Sequence, residues 1–146
     1  MSLYGLLDEL SDASVHRSLS DLTPLLTDSD FRGRVVVGGD LNTTTAWREP
    51  SLRRRDQGVL DRFEALGLVD LLREKREPGP LAGCTCGLGE RCEHTWTRLG
   101  RGKAPIQTDY LFASRDLVTR LKTCEALSPP DWREYSDHAP IIATFE

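Results

Sequence analysis

Three short segments of the sequence combine residue types that can activate water and bind cations. Asp40 and Asn42 lie two positions apart in Gly-Gly-Asp-Leu-Asn, Asp109 lies in Thr-Asp-Tyr, and Asp137 precedes His138 in Ser-Asp-His-Ala-Pro. Carboxylates can activate water and hold divalent cations, and a carboxylate beside an imidazole favours the protonated ring. Together they offer what phosphodiester hydrolysis requires: an activated water and charge stabilisation on the phosphoryl oxygens.

Each segment alone has a plainer explanation, because an Asp after two glycines is commonly a turn residue and a Ser-Asp-His stretch can serve as a cap. Their positions relative to the predicted strands favour chemistry. A Val-rich strand at 34–38 precedes Asp40, a strand at 108–113 contains Asp109, and a strand at 140–145 follows His138. Ends of buried strands are rigid and can aim ionisable groups at one point.

Helical spacing of apolar residues predicts two longer helices. The first can be capped by Asp12 or Ser14, and Pro24 is expected to bend it or end it early. Its buried stripe comprises Val15, Leu19, Leu22, Leu25 and Leu26. The second helix stops at Gly67, and its stripe comprises Val59, Leu60, Phe63 and Leu66. The segment 43–57 between them is predicted to be a loop.

Shorter elements complete the pattern. Strands are predicted at 2–6, 68–72 and 125–127, and a strand at 94–98 is expected to pair with the one at 108–113. Ser114 is expected to cap a short helix that carries Leu117, Val118 and Leu121. The segment 128–136 reads as a loop with two prolines. Because strands and helices alternate, the fold class is α/β or α+β.

A compact group of sulfur and nitrogen donors lies in an irregular insertion at 77–95. Cys84, Cys86, Cys92 and His94 can close around one tetrahedral Zn²⁺, which predicts a structural zinc site. Their clustering favours metal over a disulfide framework. Free buried thiols with a polar histidine are the alternative. A catalytic thiol is disfavoured, because no base is evident apart from the same His94.

Size and charge exclude several classes of protein. The chain has 146 residues, 38% of them hydrophobic, which fits one domain or a piece of a larger one. No apolar run is long enough to span a bilayer, and no secretory signal is visible, so a cytoplasmic protein is expected. A net charge of −4 disfavours a nucleic-acid coat protein but not an enzyme that acts on phosphate esters.

Basic and aromatic residues near the motifs have two readings each. Basic clusters are expected to be solvated faces; they comprise Arg53, Arg54, Arg55, Arg73, Lys75, Arg76, Arg98, Arg101 and Lys103. The arginine triplet 53–55 and Arg17 could instead meet a phosphate backbone. Tryptophans could stack on a base, although packing under loops is the commoner use; they are Trp47, Trp96 and Trp132.

The three segments, in this order and in these strand contexts, resemble the signature of the endonuclease/exonuclease/phosphatase superfamily, which includes DNase I-like and exonuclease III-like enzymes. That resemblance implies two packed sheets with helices outside, a four-layer αββα sandwich. Since the motifs that match come from the later part of that fold, the chain resembles its C-terminal portion. It is therefore expected to form a single, N-terminally truncated domain across 1–146.

The resemblance also implies a role for each residue. Asp40 would activate or position the attacking water, and Asn42 would hold that water or a phosphate oxygen. Asp109 would fix the tautomer of His138, which would contact the scissile phosphate. Asp137 would help to hold Mg²⁺ or Mn²⁺. A looser match places Tyr4 against the phosphate.

The resemblance is incomplete in its first half, which in the family supplies an early Asn and a metal-binding Glu. Asn42 is the only Asn in the chain, so no second Asn can substitute. Three explanations stay open: a fragment of a longer enzyme, a chain completed by another chain or by a homo-oligomer, and a shortened inactive relative. An isolated half would expose apolar surface.

The resemblance thus implies a divalent-metal-dependent phosphoesterase, whose substrate is a phosphodiester and could be a nucleic acid. The alternatives are a binding or scaffold domain of the same fold that lacks the Glu, and a small zinc module with only an ancestral relation to the superfamily. Fold does not name the substrate, because the family acts on nucleic acids, phospholipid head groups and inositol phosphates.

Overall fold

Two antiparallel sheets form the framework of the computed structural model, which describes residues 1–6, 11–77, 79, 81–99, 106–127 and 132–146. The first sheet has the strand order β1-β3-β2, and the second pairs β4 with β5. The strands are β1 (Val36–Asp40), β2 (Leu68–Asp70), β3 (Asp109–Ser114), β4 (Leu121–Ala126) and β5 (Ile141–Phe145). The helices are α1 (Ser11–Thr27), α2 (Pro50–Ala65), α3 (Leu71–Lys75) and α4 (Arg115–Val118).

The first residues of the chain lie along the free edge of β1, next to the β1–β3 pair. Residues 1–5 run parallel to β1, with the N–H of Leu3 bonded to Gly38 O and the N–H of Gly5 bonded to Asp40 O. Gly39 has a φ of +149°, and a Cβ there would lie 1.9 Å from Leu3 O. Only glycine allows the two backbones to approach this closely. Gly39 therefore allows two strands to pack closely and does not form a turn.

Two hydrophobic clusters cover the faces of the first sheet. The larger one joins α1 and α2 to the sheet, and in it the rings of Phe63 and Phe112 stack with centroids 4.0 Å apart. The smaller one joins α3 to the second sheet through Leu71, Leu72, Leu121 and Cys124. Val36 packs against the smaller cluster while Val37 belongs to the larger. This confirms the prediction that the first strand is covered on both faces.

The start of the second helix was predicted too late. Residues 50–57 lie in α2 and not in a loop, so the arginine triplet 53–55 is helical. Glu49 caps the helix by accepting from the N–H of Ser51, and Pro50 occupies its first turn. Pro is favoured there because the missing N–H would have no intrahelical partner. Arginine is a good helix former, so polarity alone misled the prediction.

Three other boundaries differ from the predictions. Pro24 does not end α1 early, since the helix continues to Thr27, whose hydroxyl bonds to the carbonyl of Thr23. The predicted strand at 68–72 is split, because Asp70 caps α3 and turns the chain. The predicted strand at 94–98 contributes only isolated bridges at Arg98.

Other predicted strands occur with shifted bounds, whereas the predicted strand at 2–6 contributes an isolated parallel bridge between Ser2 and Gly38. Strand 125–127 is the end of the longer β4, and the final strand is β5. Ser114 precedes α4, but its hydroxyl bonds to the backbone of Val35 and not to the helix. Within the described part of the insertion 77–95, the regular structure is a 3-10 turn at Gly89–Arg91.

Some predictions fall outside the described residues. These concern Pro78 and Pro80 of the insertion, the basic residues Arg101 and Lys103, and 128–131 of the last loop. Among the residues that are described, no helix is long and apolar enough to cross a membrane.

The carboxyl group of Asp70 makes stability depend on pH. Asp70 accepts from the N–H groups of Leu72 and Arg73, and burial raises its pKa to about 6. An unfolded Asp has a pKa of about 3.9, so this group stabilises the fold fully below about pH 4 and less as the pH rises to about 6. Asp70→Asn keeps an acceptor for the cap but cannot ionise. Its melting temperature relative to the wild type should therefore rise between about pH 4 and about pH 7.

Thermal unfolding followed by circular dichroism checks this expectation. The matched control is Asp21→Asn, which removes an exposed carboxylate from α1 and should not reproduce the trend. A difference between Asp70→Asn and wild type that stays constant with pH would contradict it.

Candidate active site

Two carboxylates face each other across the central strand pair. In the antiparallel register of β1 and β3, Asp40 is the direct partner of Asp109. Directly opposite residues in such a pair have neighbouring side chains. Both carboxylates are largely shielded, with side-chain exposures of 19% and 15%. The strand register thus brings together two groups that are 69 positions apart in sequence.

His138 completes this group. Its Nδ1 lies 3.0 and 2.9 Å from the two carboxylate oxygens of Asp109, and its Nε2 lies 4.0 Å from Asp40 Oδ2. The Thr108 hydroxyl also donates to Asp109. With Asp109 as the acceptor, Nδ1 carries a hydrogen and Nε2 points towards Asp40. The predicted Asp–His pairing therefore has the expected geometry.

A backbone bridge holds His138 in place. Residues 97–99 run beside 137–139, with the N–H of Ala139 bonded to Thr97 O and the N–H of Leu99 bonded to Asp137 O. The buried hydroxyl of Thr97 accepts from the N–H groups of Thr108 and Asp109. Thr97 therefore ties the segment that carries His138 to the start of β3.

Asn42 shapes the turn after β1. It has a φ of +48°, a left-handed conformation that Asn tolerates better than most residues. Its N–H donates to Asp40 Oδ1, and its side-chain amide donates to Gly5 O. The amide keeps a second N–H and its carbonyl oxygen for other partners. Asn42 thus fixes the Asp40 carboxylate and anchors residues 1–5 beside it.

Asp137 lies beside the Asp40–Asp109–His138 group and is paired elsewhere. Its Oδ2 accepts from Arg98 Nε at 3.1 Å, and its Oδ1 lies 3.9 Å from His138 Nε2. The hydrogen bond from Arg98 lowers the pKa of Asp137. Its carboxylate is therefore ionised but already engaged by a cation.

Tyr4 lies in the segment next to β1, but its side chain is 63% exposed.

Among the tryptophans, Trp47 donates to the buried Asp56, and Trp132 is buried and donates to Leu127 O. Packing therefore accounts for Trp132, whereas Trp47 is 40% exposed and is held by its hydrogen bond to Asp56.

Burial raises the pKa of Asp40, and the nearby charge of Asp109 raises it further. The N–H of Asn42 and the His138 ring act in the opposite direction. A carboxyl group with a raised pKa is better suited to accept a proton from water than an ordinary Asp.

The donor set of this site suits a hard divalent cation. Asp40, Asp109 and His138 each offer one ligand atom, and these atoms lie within 4.8 Å of one another. Mg²⁺ is commonly held by one or two carboxylates together with waters and substrate phosphates. The geometry favours Asp40 and Asp109 as the carboxylates, whereas Asp137 would have to share its charge with Arg98.

The four residues of the predicted zinc site also come together. Cys84, Cys86, Cys92 and His94 form a second group whose ligand atoms lie within 4.8 Å of one another. Burial lowers the pKa of His94, which keeps the ring neutral.

Sequence reasoning missed several supporting residues. Thr97 and Thr45 are ordinary threonines in sequence, and nothing around them signals a positioning role. Asp56 is 1% exposed and accepts from Thr44, Trp47 and Arg55, yet it stands in a segment that reads as polar surface. Arg98 was assigned to a solvated face. Only the folded chain places these side chains beside their partners.

Comparison with solved structures identifies the fold. A 3'-5' exonuclease, NExo, from Neisseria meningitidis is 21% identical, with a TM-score of 0.58 over 99% of this chain and 60% of that chain. A structure of the 3' phosphatase NExo bound to a product DNA hairpin gives the same values. An AP endonuclease from Archaeoglobus fulgidus is 18% identical, with a TM-score of 0.60 over 98% of this chain and 57% of that chain. No protein-family model and no curated protein matches the sequence.

These similarities confirm the DNase I-like fold expected from the resemblance to the endonuclease/exonuclease/phosphatase superfamily. They also confirm the mixed helix and strand class with antiparallel sheets. The chain spans about 60% of the length of the solved structures it matches.

The Asp109 carboxylate should control the tautomer of His138. In the neutral ring of the wild-type protein, the hydrogen should reside on Nδ1, because Asp109 accepts it. Asp109→Asn replaces one acceptor by an amide nitrogen, so the Nδ1–H form should lose population to the Nε2–H form. Long-range ¹H–¹⁵N spectra of the histidine rings measure this directly.

Asp137→Asn is the matched control, since Asp137 approaches the other ring nitrogen at 3.9 Å. It should leave the Nδ1–H form in place. An unchanged His138 ring in Asp109→Asn would show that the carboxylate does not set the tautomer.

Proposed function

We propose that this chain carries the chemistry of a phosphoesterase that hydrolyses phosphodiester bonds, with nucleic acid as the substrate class and Mg²⁺ or Mn²⁺ as the cofactor. The observation that carries the proposal is the group formed by Asp40, Asp109 and His138 at the end of the β1–β3 pair. The solved structures that share the fold are nucleases or phosphatases by name, and one holds a DNA hairpin.

The residues divide the work of hydrolysis between them. Asp40 accepts the proton of the attacking water and aligns its lone pair with phosphorus. The P–O bond to the leaving oxygen breaks as the new P–O bond forms, and its electron pair stays on the leaving oxygen, which takes a proton from solvent water. His138, held through Nδ1 by Asp109, presents Nε2–H to a phosphoryl oxygen when the ring is protonated. Its positive charge stabilises the negative charge that builds up in the transition state.

Asn42 and the two carboxylates complete the site. The free N–H of Asn42 can bind the water or a phosphate oxygen, while its other N–H holds Gly5. Asp40 and Asp109 would hold the divalent cation, with Asp137 as a further ligand if it is released from Arg98. The ion would supply charge neutralisation at the phosphoryl oxygens. Tyr4, exposed beside Asp40, would be free to approach the phosphate.

A second function is favoured by the composition of the site. Within the described part of the chain, the residues that could hold a cation here are two Asp and one His, without a Glu. A divalent cation held by such a group would bind a phosphate even where hydrolysis does not follow. A domain of the same fold that binds nucleic acid without cutting it is therefore the alternative.

Hydrolysis of end-labelled DNA in the presence of Mg²⁺ or Mn²⁺ tests the proposal. The substrate is a duplex with an abasic-site analogue, and a strand with a 3' phosphate serves as the phosphomonoester comparison. Asp40→Asn and His138→Ala should each lower the rate by at least about 100-fold, because each removes a group that acts in the transition state. Circular dichroism would confirm that both variants are folded.

Asp21→Asn and His16→Ala are the matched controls, since each removes the same type of side chain from α1. Both should retain the wild-type rate. Activity that survives Asp40→Asn and His138→Ala would overturn the assignment of the site. Binding of both DNA substrates without hydrolysis by the wild type would establish the alternative.

A further inference from the structure

Four side chains of the cysteine-rich insertion meet at one buried point. Cys86, Cys92 and His94 are 3%, 2% and 5% exposed, although each carries a polar or reactive side-chain atom. Cys84 is half-buried beside them, and all four cysteines of the chain are free thiols. Polar atoms buried together require partners, and a bound cation would satisfy all of them at once.

The spacing of these atoms matches a tetrahedral site. Nδ1 of His94 lies 3.4 Å from Cys84 Sγ and 3.5 Å from Cys92 Sγ. Zinc bonds to sulfur and nitrogen predict an Sγ–Nδ1 edge of about 3.6 Å in a tetrahedron. Without a metal ion, Nδ1 would have to share one three-centre hydrogen bond between the two sulfur atoms, which weakens each contact. A central cation explains both.

The opposite ring nitrogen is already oriented by a hydroxyl. Nε2 of His94 lies 2.8 Å from the buried Oγ1 of Thr45. If Nδ1 binds a cation, Nε2 must carry the hydrogen and donate it to Thr45. A metal-ligating histidine almost always donates its second N–H in this way.

Hydrogen-bond donors and two guanidinium groups surround the sulfur atoms. The N–H of Leu88 points to Cys86 Sγ at 3.4 Å. Arg53 donates to the carbonyl of Cys86, and Arg76 donates to the carbonyl of Cys92. Three thiolates around a doubly charged ion leave one net negative charge, which the two guanidinium groups would offset.

We propose that the insertion binds one structural Zn²⁺ ion through three thiolates and one imidazole, with the ligand atoms being Sγ of Cys84, Sγ of Cys86, Sγ of Cys92 and Nδ1 of His94. The ion joins the insertion to α2 through Arg53 and to the turn after Asp40 through Thr45. Zinc therefore supports, through the bond between His94 and Thr45, the loop that follows the proposed water-activating residue. This inference concerns metal binding and folding, so its outcome is independent of the proposed hydrolysis.

Metal content of the whole chain, purified under reducing conditions, tests the site. The wild type should bind one equivalent of zinc, and Cys92→Ala should lose it. Cys124→Ala, which removes the one cysteine outside the insertion, should keep the full equivalent. Equal zinc loss in both variants, or a wild type that binds no added zinc, would overturn the proposal.

The wild type alone gives a second measurement that does not depend on a variant folding. Titration with Co²⁺ should produce sulfur-to-metal charge-transfer bands and the intense visible bands of a tetrahedral site, and Zn²⁺ should displace them. Cobalt binding without charge-transfer bands would show that thiolates are not the ligands. A disulfide between two of the insertion cysteines in the reduced, zinc-treated protein would also contradict the site.

Thr45→Val tests the link to the turn after Asp40. The substitution keeps the shape of the side chain but removes the acceptor for Nε2–H, so zinc affinity in chelator competition should fall by about 10–100-fold. Thr123→Val, on the exposed face of β4, should leave the affinity unchanged. An unchanged affinity in folded Thr45→Val would refute the proposed bond between the zinc ligand and this turn.

Discussion

The antiparallel register of β1 with β3 is the constraint on which the site depends. It makes Asp40 and Asp109 direct partners across the sheet, so two carboxylates share one small, shielded space. Burial raises the pKa of Asp40, and the like charge of Asp109 raises it further. The ring of His138 lies beside both carboxylates and offsets part of the repulsion between them. A site with this arrangement gives up some stability in order to hold reactive groups together.

Close backbone contact is the second condition for this geometry. The parallel passage of residues 1–5 along β1 requires glycine at both points of closest approach, because a Cβ at Gly5 or Gly39 would lie 1.9 Å from a carbonyl oxygen. Asn42 then bonds to both the Asp40 carboxylate and Gly5. Packing of the first residues and orientation of the carboxylate are therefore one structural feature, not two.

The turn after β1 connects the two groups of possible ligands. Asp40 and Asn42 stand at its beginning, and Thr45 meets the His94 ring three residues later. Asp56 fixes the same turn from α2 by accepting from the N–H of Thr44. Because the bonds of Thr44 and Thr45 are buried, breaking either of them would leave an unpaired polar group. The insertion and the proposed active site thus share a common support.

Local patterns in the sequence predicted the candidate site residues and most of the elements of this protein. Apolar periodicity identified the two long helices, and the motif residues Asp40, Asp109 and His138 were identified from their types and their strand contexts. Polarity misled the prediction at 50–57, because a helix start depends on capping by Glu49 and Pro50 and not on the polarity of the arginines that follow. Tertiary structure alone decided which groups meet. Pairing register, the engagement of Asp137 by Arg98 and the contact between Thr45 and His94 join residues far apart in the chain, and no local preference encodes such distances.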